Sequence, residues 1–207
     1  MLNLQRYVTG KLYTNCYILS DKESKEAYIF DAPAHGDKIY ELVTRLGLKI
    51  KAVILTHGHF DHILGLDELV SLSGAPVYMH EEESDLVNNK EFNLTAYFRA
   101  DVPQIKIQKK LKDGDVLTLG KSEIKVIHTP GHTVGGLCFL AEDMLISGDT
   151  LFEGSIGKVD HMTGDMELEI AMIKEKLMTL PDSIKVFPGH GNMTTIGRER
   201  KENMFLI

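Results

Sequence analysis

The sequence predicts an α/β fold of four layers (αββα), with two sheets packed face to face and helices outside them. Three observations predict it. Short strand patterns occur in both halves of the chain, and helical periodicity follows each set, as when a sheet covers a second sheet with one face and helices with the other. A chain of 207 residues can bury such a core without disulfides, so residues 1–207 read as a single domain. Its 43% hydrophobic and 26% charged content is that of a globular protein, and no low-complexity stretch points to disorder.

The elements follow in order. LNLQRYV, NCYILS and EAYIFDA read as three strands separated by GK and DKESK. In DKIYELVTRLG, Ile39, Leu42, Val43 and Leu46 recur at helical spacing, and Gly47 caps the end. AVILT is a short apolar strand, HILGLDELVSLSG a helix ending at Gly74, and PVYMH a strand. The first third is therefore β-β-β-α-β-α-β. HEEESDLVNNK looks helical, whereas NLTAYFRADVPQ, broken by Pro103, reads as a loop or lid in which Tyr97, Phe98 and Arg99 could line a site. Four strands come next: DVLTLG, SEIKVIHT, GGLCFLAE and DMLISGD. A helix with apolar positions at Leu168, Ala171, Met172, Ile173, Leu177 and Leu180 follows, then the strand SIKVF and a polar helical segment, GRERKENMF.

Charge narrows the partners. With 23 Lys and Arg against 30 Asp and Glu, the formal charge of −7 offers no field for a phosphate backbone, so nucleic acid is not expected. Lys109, Lys110 and Lys112 read as a solvated strand end. The start lacks a cationic segment followed by an apolar one, and nowhere do 18 apolar residues run together. A cytoplasmic protein without a membrane partner is expected. Cys16 and Cys138 sit in apolar strands and read as buried free thiols. No feature of the sequence assigns an oligomeric state.

The densest chemistry is THGHFDH at 56–62, between AVILT and a helix. Unpaired imidazoles and carboxylates are costly to bury, and both are ligands for first-row metals. His57 and His59, two apart on an extended segment, can face one ion, while Asp61 and His62, offset by the turn, can face a second. Further donors stand where other apolar strands give way to glycine: His132 in HTPGHTVGG, Asp149 in LISGDTLF and His190 in VFPGHGNMT. Together these fit two ions, with His57, His59 and His132 on one, Asp61, His62 and His190 on the other, and Asp149 bridging. His35 reads as a surface-loop residue, His80 as a helix start and His128 as a packed strand residue; His161 is left as an open substrate contact.

On these residues the chain resembles the metallo-β-lactamase superfamily, whose HxHxDH signature appears as HGHFDH. The GH at 131–132, GDTLF at 148–152 and GH at 189–190 fall in the superfamily's order. Within it, HTPGHTVGG, GDTLFEGSIGK and TTIGRERKENMF are similar to a short branch of the type II glyoxalases, the hydroxyacylglutathione hydrolases. That resemblance implies hydrolysis of a small-molecule thioester such as S-D-lactoylglutathione by a hydroxide bridging two divalent ions, zinc foremost, with iron or manganese acceptable to the same donors. Asp61 would be the catalytic residue, ligating an ion and aiming the nucleophile. Lys158 stands where the family's lysine binds the glutathione moiety, while Asp160 replaces a family tyrosine and Met204 follows Asn203 where a proline is usual. An alternative implied by the same motifs is a persulfide dioxygenase with one iron on His57, His132 and Asp149. Zinc β-lactamases commonly carry cysteine where Asp149 stands, which argues against antibiotic hydrolysis.

Overall fold

In the computed structural model, which describes residues 1–98, 100–102, 104–159 and 162–207, twelve strands make two six-stranded sheets. The first contains β1 (Leu2–Thr9), β2 (Thr14–Asp21), β3 (Glu26–Phe30), β4 (Lys49–Ile54), β5 (Val77–His80) and β6 (Lys109–Leu111), in that spatial order. β1 to β3 are antiparallel and β3 to β6 parallel, so the sheet is mixed. The second half supplies β7 (Val116–Leu119), β8 (Ser122–His128), β9 (Leu137–Ala141), β10 (Met144–Gly148), the small hairpin β11 (Leu151–Phe152) and β12 (Ser155–Ile156), then β13 (Lys185–Pro188) and β14 (Thr194–Thr195). Its sheet order is β14-β13-β10-β9-β8-β7, antiparallel except where β10 meets β13.

Period-two alternation makes the layers. In β2, Tyr17 and Leu19 face the second sheet, packing with Tyr28, Phe30 and Ile54 against Leu117, Ile124, Val126 and Phe139. The Phe30 and Phe139 rings meet with centroids 4.9 Å apart. Cys16 and Ile18, on the opposite face, join Ile29 and Val53 beneath Ile39 and Val43 of α1 (Gly36–Arg45) and Leu66 and Leu69 of α3 (Leu66–Ser73), with α2 (Phe60–Ile63) between these helices in sequence. Two short helical turns, α4 (Glu81–Ser84) and α5 (Thr95–Phe98), precede β6. Outside the second sheet, Cys138, Leu145 and Val186 pack under Ile173 and Leu177, which extend α6 (Met166–Met172) as a π-helical stretch, and under Ile196 of α7 (Ile196–Glu202). The four-layer α/β expectation holds. Both thiols are free and buried in separate layers, and burial pushes Cys138 up to about 11.

Several boundaries differ from the periodicity. The helix expected across 62–74 is broken at Leu64 and Gly65, because the turn there exchanges backbone bonds with the end of β3: Ala32 N–H donates to His62 O, and Gly65 N–H to Ala32 O, both at 2.8 Å. A Cβ on Gly65 would lie 2.9 Å from Ala34 C, so a side chain has no room in that crossing. The helical pattern at 80–90 is realised only as α4, and part of the expected loop at 93–104 winds into α5. Lys109 and Lys110 are exposed on β6, at the edge of its sheet. The β11–β12 hairpin was not legible, since two-residue strands leave no periodicity. Among the described residues no helix is long and apolar enough to cross a membrane.

Candidate metal centre

The predicted donors converge at one end of the sandwich. After β4, residues 57–59 run extended and α2 begins at Phe60, which places Asp61 and His62 in its first turn. Gly58 lets this segment pass the Phe92 ring, which a Cβ would approach to 2.8 Å. His132, Asp149 and His190 arrive after β8, β10 and β13. Three groups of donors result, in each of which the ligand atoms lie within 4.8 Å of one another: His57, His59 and His132; His57, His62 and Asp149; and Asp61, His62 and His190. Asp149 sits between the two imidazole sets, with Oδ1 3.4 Å from His62 Nε2 and Oδ2 3.5 Å from His190 Nε2 and 3.8 Å from His132 Nε2.

Ring orientation tests whether these side chains suit a metal. His57 Nδ1 lies 3.1 Å from Thr56 Oγ1, His62 Nδ1 2.8 Å from Asp31 Oδ2, His132 Nδ1 2.7 Å from the Lys158 carbonyl and His190 Nδ1 3.2 Å from the Leu12 carbonyl. Each of these oxygens can accept the Nδ1 proton, which leaves the Nε2 lone pair turned inward, the orientation that outer partners impose on metal-ligating histidines. His59 presents Nδ1 instead, 3.0 Å from His132 Nε2. His57 Nε2, His62 Nε2 and Asp149 Oδ1 are buried without a hydrogen bond. Orphaned donor atoms of this kind call for a partner, and a pair of divalent ions fits them. His59→Ala is expected to lower the number of ions held per chain, counted by elemental analysis; unchanged metal content would remove His59 from the donor set.

Electrostatics divides the cluster. Burial, then neighbouring imidazoles, hold His57 and His59 well below the ordinary histidine value, ready to ligate as neutral rings. Burial also works to lower His62, but Asp149, Asp61 and Asp31 outweigh it and raise His62 well above that value. His190 rises to about 9 in the same way, through hydrogen bonds to Asp149 and Asp61 that overcome burial. Burial opposes the charge on Asp149, yet His62 and His190 hold it well below the carboxylate range. Metal taken up by these donors would displace the protons of His62 and His190.

Three buried carboxylates that support the centre were missed in the sequence. Asp31, at the end of β3, accepts from Thr56 N–H and Thr56 Oγ1 as well as facing His62, all at 2.8 Å. Glu83 of α4 accepts from the Thr133 hydroxyl and, at 2.9 Å, from Gly135 N–H, behind His132. Glu169 of α6 accepts from Gly157 N–H at 3.1 Å and so holds the strand end that offers the Lys158 carbonyl to His132. Only Asp31 left a trace, as an acid ending an apolar run. Burial raises Glu169 to about 8 against an ordinary 4.5. The native state therefore keeps a proton that the unfolded chain releases, so wild-type stability is expected to fall, relative to Glu169→Gln, as pH rises from 4.5 to 8. Melting midpoints of the two proteins across that window check this; parallel curves would refute it.

The centre opens into a cavity of about 550 Å³ lined by His59, Asp61, His132, Asp149 and His190, with Lys158 at its rim and Leu12, Phe60, Phe98 and Phe152 as apolar wall. Phe98 stacks on Phe60 with centroids 4.6 Å apart, whereas Tyr97 points outward and is 69% exposed. His35 is an exposed loop residue at the start of α1, His80 begins α4 and His128 ends β8 against His80. Arg99, Asp160 and His161 lie outside the described residues.

Known proteins share this arrangement of chain. The crystal structure of the B3 metallo-beta-lactamase BLEG-1 superposes with a TM-score of 0.92 at 35% identity, covering 100% of this chain and 99% of that one. The di-iron-bound form of TTHA1623 gives 0.87 at 32% identity, over 98% of this chain and 100% of the other. The hydroxyacylglutathione hydrolase GloC of Haemophilus influenzae is 30% identical over 99% of this chain and 98% of its own length. A profile of the metallo-beta-lactamase superfamily matches residues 9–190, a span that includes every donor named above. The chain belongs to the metallo-beta-lactamase superfamily.

Proposed function

We propose that the protein is a metal-dependent hydrolase of small thioesters, represented by S-D-lactoylglutathione. The observation that carries the reading is the cavity in which five of the seven donors, Asp61 among them, face the same space as Lys158. The likeness to a named hydroxyacylglutathione hydrolase over nearly the whole chain supports the substrate class. His57, His59 and His132 would hold one ion and Asp61, His62 and His190 the second, with Asp149 between them; zinc leads, and iron or manganese suit the same donors. When bound, such ions supply Lewis acidity, lowering the pKa of water toward about 7 and polarising a carbonyl.

The protein's own groups do the rest. Asp61 Oδ2 receives the Thr14 hydroxyl at 3.0 Å, which fixes the carboxylate so that it can accept a hydrogen bond from the attacking water and aim it. The departing thiolate needs no dedicated acid: among the described residues Glu153, the carboxylate lining the cavity outside the donor set, is engaged by Arg198 and Asn192. Lys158 acts as a point charge for a substrate carboxylate away from the reacting carbon. Lys158→Ala is expected to raise KM about tenfold while kcat changes less than about twofold, read from steady-state kinetics; an unchanged KM removes Lys158 from the substrate site. The substrate is a dissolved small molecule, with neither nucleic acid nor membrane as partner and the cytoplasm as the compartment.

The test is thiol release from S-D-lactoylglutathione by metal-reconstituted protein beside a chelated control. Metal-dependent release with kcat/KM above about 10⁴ M⁻¹s⁻¹ supports the reading. Absence of release, with oxygen consumed on a thiol persulfide, would replace it by the mononuclear-iron dioxygenase. The second donor group, Asp61, His62 and His190, would hold an ion in the hydrolase, whereas the dioxygenase reading uses only His57, His132 and Asp149, so ions counted per active chain separate the two. Since a neighbour at 35% identity carries the name of a β-lactamase, a β-lactam belongs in the same assay, and its preferential hydrolysis would overturn the thioester reading.

A further inference from the structure

A second cavity adjoins the one over the metal centre. It measures about 580 Å³ and shares with the first the side chains of Leu12, Phe60, Asp61 and Phe98, but no donor other than Asp61 lines it. The Phe60 and Phe98 rings, stacked 4.6 Å apart, are wall to both spaces. Asp61 also faces both, and the Thr14 hydroxyl that holds its Oδ2 belongs to a residue lining only the second. Lys158 lines only the first.

The second space is apolar where it is enclosed. Pro33 and Phe60 are buried and Ala34, Leu64 and Ala100 half-buried, whereas Lys11 and His35 are exposed, so their polar ends reach water at its mouth. Its floor is fixed before any ligand arrives. The 33–36 turn crosses residues 64–65 so closely that a Cβ on Gly36 would collide with the Gly65 carbonyl, and Gly65 N–H donates to Ala32 O at 2.8 Å. Ala34 Cβ faces the turn between β1 and β2, where a Cβ on Gly10 would lie 3.6 Å away. A preformed, largely apolar concavity of this size is the form of a small-molecule subsite.

We propose that this second cavity receives the acyl arm of the thioester, and that the protein prefers an apolar acyl chain, butyryl to octanoyl, to a lactoyl group. The inference rests on the thioesterase reading and names the acyl class for it. A thioester carbonyl carbon carries its oxygen, its sulfur and the acyl carbon in one plane, pointing three ways. With the oxygen toward the donors and the sulfur toward Lys158, the third direction belongs to the acyl carbon, and Asp61 marks the boundary that this arm crosses. A lactoyl group is short and carries a hydroxyl, so it would leave the apolar floor at Ala34 and Leu64 in water. Each methylene laid on that floor is expected to raise kcat/KM about threefold to fourfold.

The experiment measures kcat/KM of the metal-reconstituted full chain on glutathione esterified with lactoyl, acetyl, butyryl, hexanoyl and octanoyl groups. Wild type is expected to climb with each methylene from acetyl to hexanoyl, and to turn over hexanoylglutathione at least about tenfold better than lactoylglutathione. Ala34→Leu, which fills the floor, is expected to lower the ratio of hexanoyl to acetyl kcat/KM at least about tenfold. Leu64→Ala, which deepens the same floor, is expected to move the optimum to a longer chain. Melting midpoints equal to wild type show that the variants are folded. A kcat/KM that ignores chain length in wild type, or a hexanoyl-to-acetyl ratio that Ala34→Leu leaves unchanged, would overturn the acyl subsite and leave the thioesterase standing. No turnover of any ester, lactoyl and acetyl included, would overturn the thioesterase reading itself and this inference with it.

Discussion

Asp61→Asn is expected to lower kcat for thioester hydrolysis by about 10²–10⁴-fold, the range of a positioned proton acceptor, while KM changes by less than about twofold. The carboxylate faces three groups that can donate: the Thr14 hydroxyl at 3.0 Å and, when protonated, His190 Nε2 at 3.1 Å and His62 Nε2 at 3.6 Å, all on Oδ2. An amide keeps one oxygen but turns an NH₂ toward either the substrate side or these donors, so one of its two duties is lost. Metal counted on the same sample separates the duties. Retained ions with a collapsed kcat assign Asp61 to aiming the nucleophile; lost ions assign it to ligation. A kcat within about twofold of wild type would sink both.

The largest stability effect is expected at Asp31, which touches no substrate. Asp31→Ala leaves Thr56 N–H buried without an acceptor and frees His62 to rotate. It also puts a side chain that tolerates the left-handed region poorly at φ +61°. Breaking a buried charge pair of this kind costs about 3–5 kcal/mol, which for a chain of this size is a fall in melting midpoint of about 10 °C. Metal affinity is expected to drop about 10–100-fold as well, because His62 loses the partner that fixes its ring. Asp31→Asn, which keeps an oxygen for Thr56, is expected to retain most of the stability but not the affinity. A midpoint and an affinity both equal to wild type in Asp31→Ala would show that the buried carboxylate holds nothing.

What the sequence discloses and what it hides follow from the range of each interaction. HGHFDH is legible because four donors fall within six positions, where no packing demand would put them. His132, Asp149 and His190 are legible by grammar, since each follows an apolar strand at a glycine. Glu83 and Glu169 are not. They lie in helical segments where a charged residue is ordinary, and only the tertiary crossing of α4 over the 133–135 loop, and of α6 over Gly157, turns them inward. The break at Gly65 is hidden for the same reason. The apolar spacing of 63–70 suits one helix, and the interruption is dictated by the chain end of β3 lying against it.

The donors are divided between the halves of the chain: His57, His59, Asp61 and His62 follow a strand of the first sheet, and His132, Asp149 and His190 follow strands of the second. Backbone bonds stitch the sheets together beside them, with Asn15 N–H donating to Gly189 O at 2.7 Å and Thr14 bridging to His190. During synthesis, therefore, a ribosome-bound chain that has exposed only its first half presents four donors and no complete pocket. If these seven side chains hold the ions as proposed, capture of a full complement waits for His190 to emerge and dock, which would make metal occupancy a late event in maturation and a natural report that both halves have found each other.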